Sequence, residues 1–245
     1  MLIFMTTFQS YEPQVVLAVG AHADDIDFGA SGSIAAWTSK GAEVHYLVIT
    51  DGSKGSADPN MTSEQLVALR QQEQRDAAAV LGVKEVHFLA YEDGMLEVTM
   101  GLKKDIVRII RQVRPDTVVF IDPTLVYFSD FNVINHPDHR AAGQATLDAI
   151  FPLARDHLSF PDLYNEEKLE PHKVAHVLLI NFEKQNYFMD ITATFETKMQ
   201  ALLKHTSQVP AVQALTELLQ NQAAQMGRKT GSQYAEGFIR IDCQP

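Results

Sequence analysis

Two short stretches hold most of the side chains in this sequence that could act together on a substrate. The first, Gly20-Ala-His22-Ala-Asp24-Asp25-Ile-Asp27-Phe-Gly29, ends an apolar run with one imidazole and two adjacent carboxylates; the second is His136-Pro-Asp138-His139. Catalytic metal sites take three protein ligands from His, Asp, Glu or Cys and keep one position open for water. On a turn leaving a strand, His22 and Asp25 could both face one ion, while Asp24 points elsewhere and stays free for acid–base work. His139 would be the third ligand. His136 could reach the far side of the ion without binding it, and Asp138 could orient an imidazole from behind. An activated water, a carboxylate to accept its proton and an imidazole to steady a developing oxyanion are the equipment for hydrolysing an amide or ester.

Each cluster also has a plainer reading. Adjacent aspartates after a strand serve as helix N-terminal charges, and an Asp in a turn caps a helix. A dinucleotide or methyl-donor loop is a further alternative, because Gly20, Gly29 and Gly32 punctuate the turn. The spacing is not Gly-x-Gly-x-x-Gly, and two carboxylates would repel a pyrophosphate. Both clusters follow apolar runs that read as strands, which favours the metal site.

The elements that must position these residues follow from periodicity. Residues 15–19 and 44–49 are short apolar, β-branched runs, and 29–40 between them has helix length, closed by Gly41. Thr62-Ser-Glu-Gln65 has capping-box spacing and opens a helix that Gly82 ends. A third strand over 86–89, a helix over 99–113 and a fourth strand over 117–121 complete an alternation that demands parallel strands with helices on both faces. The first half therefore reads as Rossmann-like α/β. A polar-aromatic loop spans 122–135, and a helix starts near His139 and runs to about residue 150. Strands over 174–180 and 187–191 are joined by a hairpin-like or loop connection. Helices over 194–205 and 212–226, a mobile loop over 227–232 and a closing strand over 234–241 form a C-terminal extension of strand and helix. With no repeat and no linker, 1–245 reads as one domain.

Composition narrows the partners. The 245 residues are 46% hydrophobic and 21% charged, as in ordinary globular proteins. No stretch has the apolar length of a membrane span, and the opening Met1-Leu-Ile-Phe-Met5 is too short and lacks the basic leader of a signal peptide. A single cysteine, Cys243, fits a reducing, cytoplasmic location. A net charge of −11 disfavours nucleic acid and anionic membranes as partners and leaves small molecules and proteins.

His22-Ala-Asp24-Asp25 followed by Gly29, Arg70-Gln-Gln-Glu73, Asp93-Gly94-Met95 and His136-Pro-Asp138-His139, in this order, resemble the LmbE/PIG-L family of zinc-dependent N-acetylglucosamine deacetylases. The match spans roughly residues 15–143 and is closest to the bacillithiol-pathway-like branch. The resemblance implies Zn2+, or another divalent metal, on His22, Asp25 and His139. It implies Asp24 as general base and His136, with its neighbour Asp138, stabilising the tetrahedral intermediate or protonating the leaving amine. Arg70 and Asp93 would contact the substrate, an N-acetylated sugar or its conjugate, although Arg70 could instead be a helix-face arginine paired with Glu73. Relatives form trimers or hexamers, which implies a homo-oligomer.

Departures from the family pattern are Ala23 and Ile26, where many members have Pro and Glu, and Ile134, where some carry a tyrosine. Tyr127 or the segment 227–238 could substitute for that tyrosine. The machinery does not choose its amine, so amidase action on thiol or drug conjugates stays open, as does a non-catalytic sugar- or nucleotide-binding domain.

Overall fold

The structure, a computed structural model, describes residues 11–128, 132–209 and 211–243. The opening apolar stretch weighed above as a signal peptide lies outside the described residues. The alternation of the first half is present as β1 (Val15–Gly20), α1 (Asp25–Ser39), β2 (Glu43–Thr50), α2 (Ser63–Leu81), β3 (Glu85–Tyr91), α3 (Met100–Val113) and β4 (Thr117–Ile121). β1 is apolar throughout because both of its faces are covered, as parallel strands require. Leu17, Val19, Leu47, Val118 and Phe120 pack on one face of the sheet, and Val16, Ala18, Tyr46 and Val119 on the other, the two-residue period of the pleat.

A seven-stranded sheet has the order β3-β2-β1-β4-β7-β9-β8, with β7 (His176–Ile180), β8 (Tyr187–Asp190) and β9 (Ala235–Asp242) from the second half. β1 lies parallel to both β2 and β4, and β4 to β7, whereas β9 runs antiparallel to β7 and β8. The chain winds to one side of β1 first and to the other side afterwards. That leaves a crevice at the carboxyl ends of β1 and β4, where open α/β sheets bind ligands.

Several boundaries are set by the expected residues. Thr62 and Gln65 form a reciprocal capping box, Gly82 closes α2 at φ 73°, and the Thr99 hydroxyl caps α3 by accepting from Leu102 N. Elsewhere the structure departs from the sequence-based reading. α1 begins at Asp25 rather than residue 29, because Phe28 N already donates to Asp24 O and the aspartates form the first turn. Within the stretch expected as a loop, β5 (Tyr127–Phe128) and β6 (Val133–Ile134) pair antiparallel. α4 (Pro137–Asp148) starts earlier than expected, with Pro137 in its first turn and His136 as its cap, and ends in a π turn at Ala149–Leu153. A short α5 (Pro161–Asn165) follows.

β7 and β8 do not form a hairpin, because β9 inserts between them. α6 (Phe195–Leu202) is shorter than expected, and α7 (Val212–Thr230) is longer. The stretch 227–232, expected as a loop, supplies the last turn of α7 and its left-handed cap Gly231. Gly227 is needed for close packing there: a Cβ would lie 2.6 Å from Ser232 O. No helix among the described residues is long and apolar enough to cross a membrane.

Candidate metal centre and catalytic site

His22 to Asp24 form the turn between β1 and α1, and His136 caps α4, so both clusters meet at the crevice between β1 and β4. The first turn is held from both sides by α2. Asp24 N donates to Gln74 Oε1 at 2.9 Å, and Ala23 O accepts from Arg70 Nη2 at 3.1 Å. This clamp keeps Asp24 at φ 95°, a conformation a non-glycine residue rarely adopts.

Atoms of His22, Asp25 and His139 converge. His22 Nδ1 lies 3.3 Å from His139 Nε2 and 3.7 Å from Asp25 Oδ2, and His139 Nε2 is 3.0 Å from Asp25 Oδ1. The outward nitrogens are occupied: His22 Nε2 is 3.1 Å from Asp93 Oδ1 and 3.3 Å from Asp138 Oδ2, and His139 Nδ1 is 2.9 Å from Asn135 Oδ1. These outer oxygens accept from the outward ring nitrogens and orient both rings so that His22 Nδ1 and His139 Nε2 turn toward Asp25. Two imidazoles and a carboxylate that meets them through different oxygens are a donor set that suits a divalent d-block cation, and His136 lies close enough to group with the same two imidazoles.

The electrostatics agree with that donor set. Burial alone would lower the His22 pKa, but hydrogen bonds to Asp138 and Asp93 and the charge of Asp25 lift it to about 10, so the surroundings attract positive charge. Burial pushes Asp25 up, yet the adjacent His139 and His22 hold it well below the usual carboxylate range. Asp24 is raised to about 7 by burial and then by repulsion from Asp25, against the pull of Arg70, whose Nη2 is 4.0 Å away. A carboxyl near 7 is suited to take and return a proton at neutral pH.

His136 accepts Asp138 N–H at Nδ1, 3.2 Å, which places the proton of its neutral ring on Nε2. Burial, then the charge of His22, lowers its pKa, so it is a neutral donor rather than a cation. Its ring stands edge-on to His22 at 4.7 Å between centroids. A cavity of about 400 Å³ opens over this group, with Lys54 and Gln208 also in its wall.

The residues singled out from sequence do not all reach that cavity. Asp138 is fully buried and accepts Gly94 N at 2.7 Å and Leu96 N at 3.2 Å besides facing His22. It does not line the cavity, and its carboxylate lies beside His22 and 3.9 Å from His136 Nδ1, so it stands behind the imidazoles rather than in the open space. Arg70 is buried in the cavity wall between Asp24 and Asp93, with Nη1 3.8 Å from Asp93 Oδ2. It does not pair with Glu73, which turns away to accept from Thr206 and Ser207. Asp93 lines the cavity, but its carboxylate faces His22, Arg70 and Lys54 N.

Tyr127 is exposed on β5 opposite Ile134 and does not line the cavity, and neither does the segment 227–238. Phe238 is core, while Glu236 anchors α1 by accepting from Gly32 N, Ser33 N and Lys198 Nζ. Sequence reasoning missed Gln74, Asn135 and His205. Asn135 was open to discovery, one helical turn before His139; Gln74 and His205 carry no spacing signal.

A mostly parallel α/β sheet with a His/Asp cluster able to hold a metal ion at its switch point defines a class, and known proteins supply the family. Residues 17–150 match the family described as PIG-L, GlcNAc-PI de-N-acetylase, and the chain belongs to it. It is 37% identical to a diacetylchitobiose deacetylase of Thermococcus kodakarensis over 91% of this chain and 81% of that protein. It is 28% identical to a probable N-acetyl-alpha-D-glucosaminyl L-malate deacetylase 2 of Bacillus anthracis, covering 79% and 80% of the two chains. Among solved structures, the N,N'-diacetylchitobiose deacetylase of Pyrococcus horikoshii in complex with an inhibitor superposes with a TM-score of 0.85 at 33% identity, covering 94% of this chain and 84% of that one.

Proposed function

We propose that this protein is a Zn2+-dependent N-deacetylase that removes the acetyl group from an N-acetylglucosamine-type sugar or small conjugate. The observation that carries the proposal is the convergence of His22, Asp25 and His139 beside Asp24 in one cavity. His22, Asp25 and His139 would hold the ion. When bound it polarises the amide carbonyl and acidifies an attacking water. Asp24 accepts the proton of that water, its ionised form favoured by the Arg70 guanidinium 4.0 Å away. His136 donates from Nε2 to the developing oxyanion or to the leaving nitrogen. The C–N bond breaks, the amine leaves with the proton, and acetate is the second product. Asp93 and Asp138 hold the His22 ring in register, and Asn135 does the same for His139.

Support for the substrate class comes from relatives named for diacetylchitobiose and for N-acetylglucosaminyl malate. All 245 residues would act as one domain, since the C-terminal strand β9 completes the sheet begun by β1. The lone Cys243 supports a cytoplasmic site of action. The test is release of free amine from a panel containing N-acetylglucosamine, diacetylchitobiose, N-acetylglucosaminyl malate and non-sugar acetamides. Metal-dependent turnover of the sugars but not of the simple acetamides is expected; turnover of non-sugar amides alone would overturn the substrate assignment.

A further inference from the structure

A second group of imidazoles and carboxylates lies at the opposite end of the sheet. His45 is near the start of β2, in register with Glu85 of β3, and His87 stands two residues further along β3. The rings of His45 and His87 are nearly parallel, 12° apart, and His45 Nδ1 is 3.2 Å from His87 Nε2. Glu85 Oε2 is 3.9 Å from the first nitrogen and 3.8 Å from the second. These residues take no part in the catalytic crevice, which is built at the carboxyl ends of β1 and β4.

A proton can satisfy only one side of this triangle. An N–H···N hydrogen bond would join the two imidazoles, but Glu85 is beyond hydrogen-bond distance of both nitrogens. An ion at the centre would engage all three atoms, and separations of 3.2 to 3.9 Å bracket the edge of about 3.4 Å for a tetrahedral zinc-type site.

The outer side of His45 is already arranged for this. His45 Nε2 faces Glu43 Oε1 at 2.9 Å, which puts the ring proton there and leaves Nδ1 bare. Glu43 also receives Lys84 Nζ at 2.8 Å, so its charge is balanced and it serves as the outer acceptor. His45 is buried, and burial holds the His87 imidazole below its ordinary pKa, which keeps its lone pair available at neutral pH.

We propose that His45, Glu85 and His87 form a second divalent-metal site, of Zn2+ type, that fastens the edge strand β3 to β2. Among the described residues β3 is the terminal strand of the sheet and pairs with β2, so a metal bridge would stitch the side on which β2 holds it. Imidazole with carboxylate suits zinc and neighbouring d-block ions rather than Ca2+ or Mg2+.

The experiment counts zinc on the intact chain by native mass spectrometry after chelation and reloading with Zn2+ alone. Wild type is expected to carry two ions, His45→Gln/His87→Gln one, and His22→Ala also one, so loss at either centre is read separately. Glu85→Gln, a change at an exposed side chain, should weaken the second equivalent at least tenfold in a Zn2+ titration and leave deacetylation unchanged. It also serves if substitution of the buried His45 unfolds the protein. Hydrogen exchange at the start of β3 should slow on binding the second ion in wild type and not in His87→Gln. The proposal is overturned if the double variant binds as many zinc ions as wild type, or if wild type binds one ion that His22→Ala abolishes.

Discussion

Asp25 and Asp27 leave the first turn of α1 two residues apart, and each meets a histidine from far along the chain. Asp25 lies 3.0 Å from His139 and faces a cavity; Asp27 lies 2.8 Å from His205 and has no exposed surface. Around Asp25 the neighbours are further titratable groups, His22 and Asp24. Around Asp27 they are neutral donors, Tyr46 Oη at 2.9 Å and Gln74 Nε2 at 2.8 Å, which with His205 satisfy the carboxylate. The same residue pair thus faces open space in one place, where we propose a cation site, and forms a structural brace where its hydrogen-bonding capacity is consumed. Gln74 links the two, holding Asp27 with one end of its amide and Asp24 N with the other.

The sharpest way to break the contrast is to remove a ligand on the open side. Asp25→Ala or His139→Ala should remove the zinc equivalent held at this centre and lower deacetylation by more than about 10³-fold, several kcal/mol of transition-state stabilisation, as read by metal analysis with amine release. A metal content equal to wild type in either variant would contradict the donor set. On the sealed side, Asp27→Asn should destabilise the protein by about 3–5 kcal/mol in urea unfolding, because it leaves a buried partner uncompensated, while the folded fraction still binds metal. Loss of metal at undiminished stability would reverse the roles of the two aspartates.

Smaller effects probe the support around the centre. Asp138→Asn keeps a hydrogen-bond acceptor beside His22 but removes its charge, and should cost about 10–100-fold in metal affinity or rate. An unchanged affinity and rate would remove Asp138 from the site altogether. The pH profile of kcat/KM is the mildest probe. Asp24 must be ionised to accept a proton, so the rate falls as pH drops through its pKa; a cation on Asp25 relieves the repulsion that helps raise Asp24 to about 7, which moves the acid limb below that value. A rate that rises on acidification would exclude Asp24 as the base.

The site was legible in sequence wherever its members are neighbours. His22, Asp24 and Asp25 share one turn, after the strand β1 that periodicity reveals, and His136 and His139 another, at the start of α4. Arg70 and Asp93 stood out only through family resemblance, and their position among Asp24, His22 and one another depends on how α2 and the β3–α3 connection pack. His205 and Gln74 were invisible because their partners lie far along the sequence, and a single His or Gln has no period. The order of β7, β9 and β8 was equally hidden, since alternation marks a strand but not its neighbour. The β5–β6 pair has two residues per strand, too few to show an alternation.

Asp24 differs from Asp25 and Asp27 in that its backbone N–H is held by Gln74 while its carboxyl stands 4.0 Å from the Arg70 guanidinium, beyond hydrogen-bond distance. The most direct measurement is metal content together with amine release for purified Asp24→Asn. Metal equal to wild type with turnover reduced by about 10²–10⁴-fold is the expected result. Wild-type turnover by fully metal-loaded Asp24→Asn would contradict the division of labour in which His22, Asp25 and His139 hold the ion and Asp24 moves the proton.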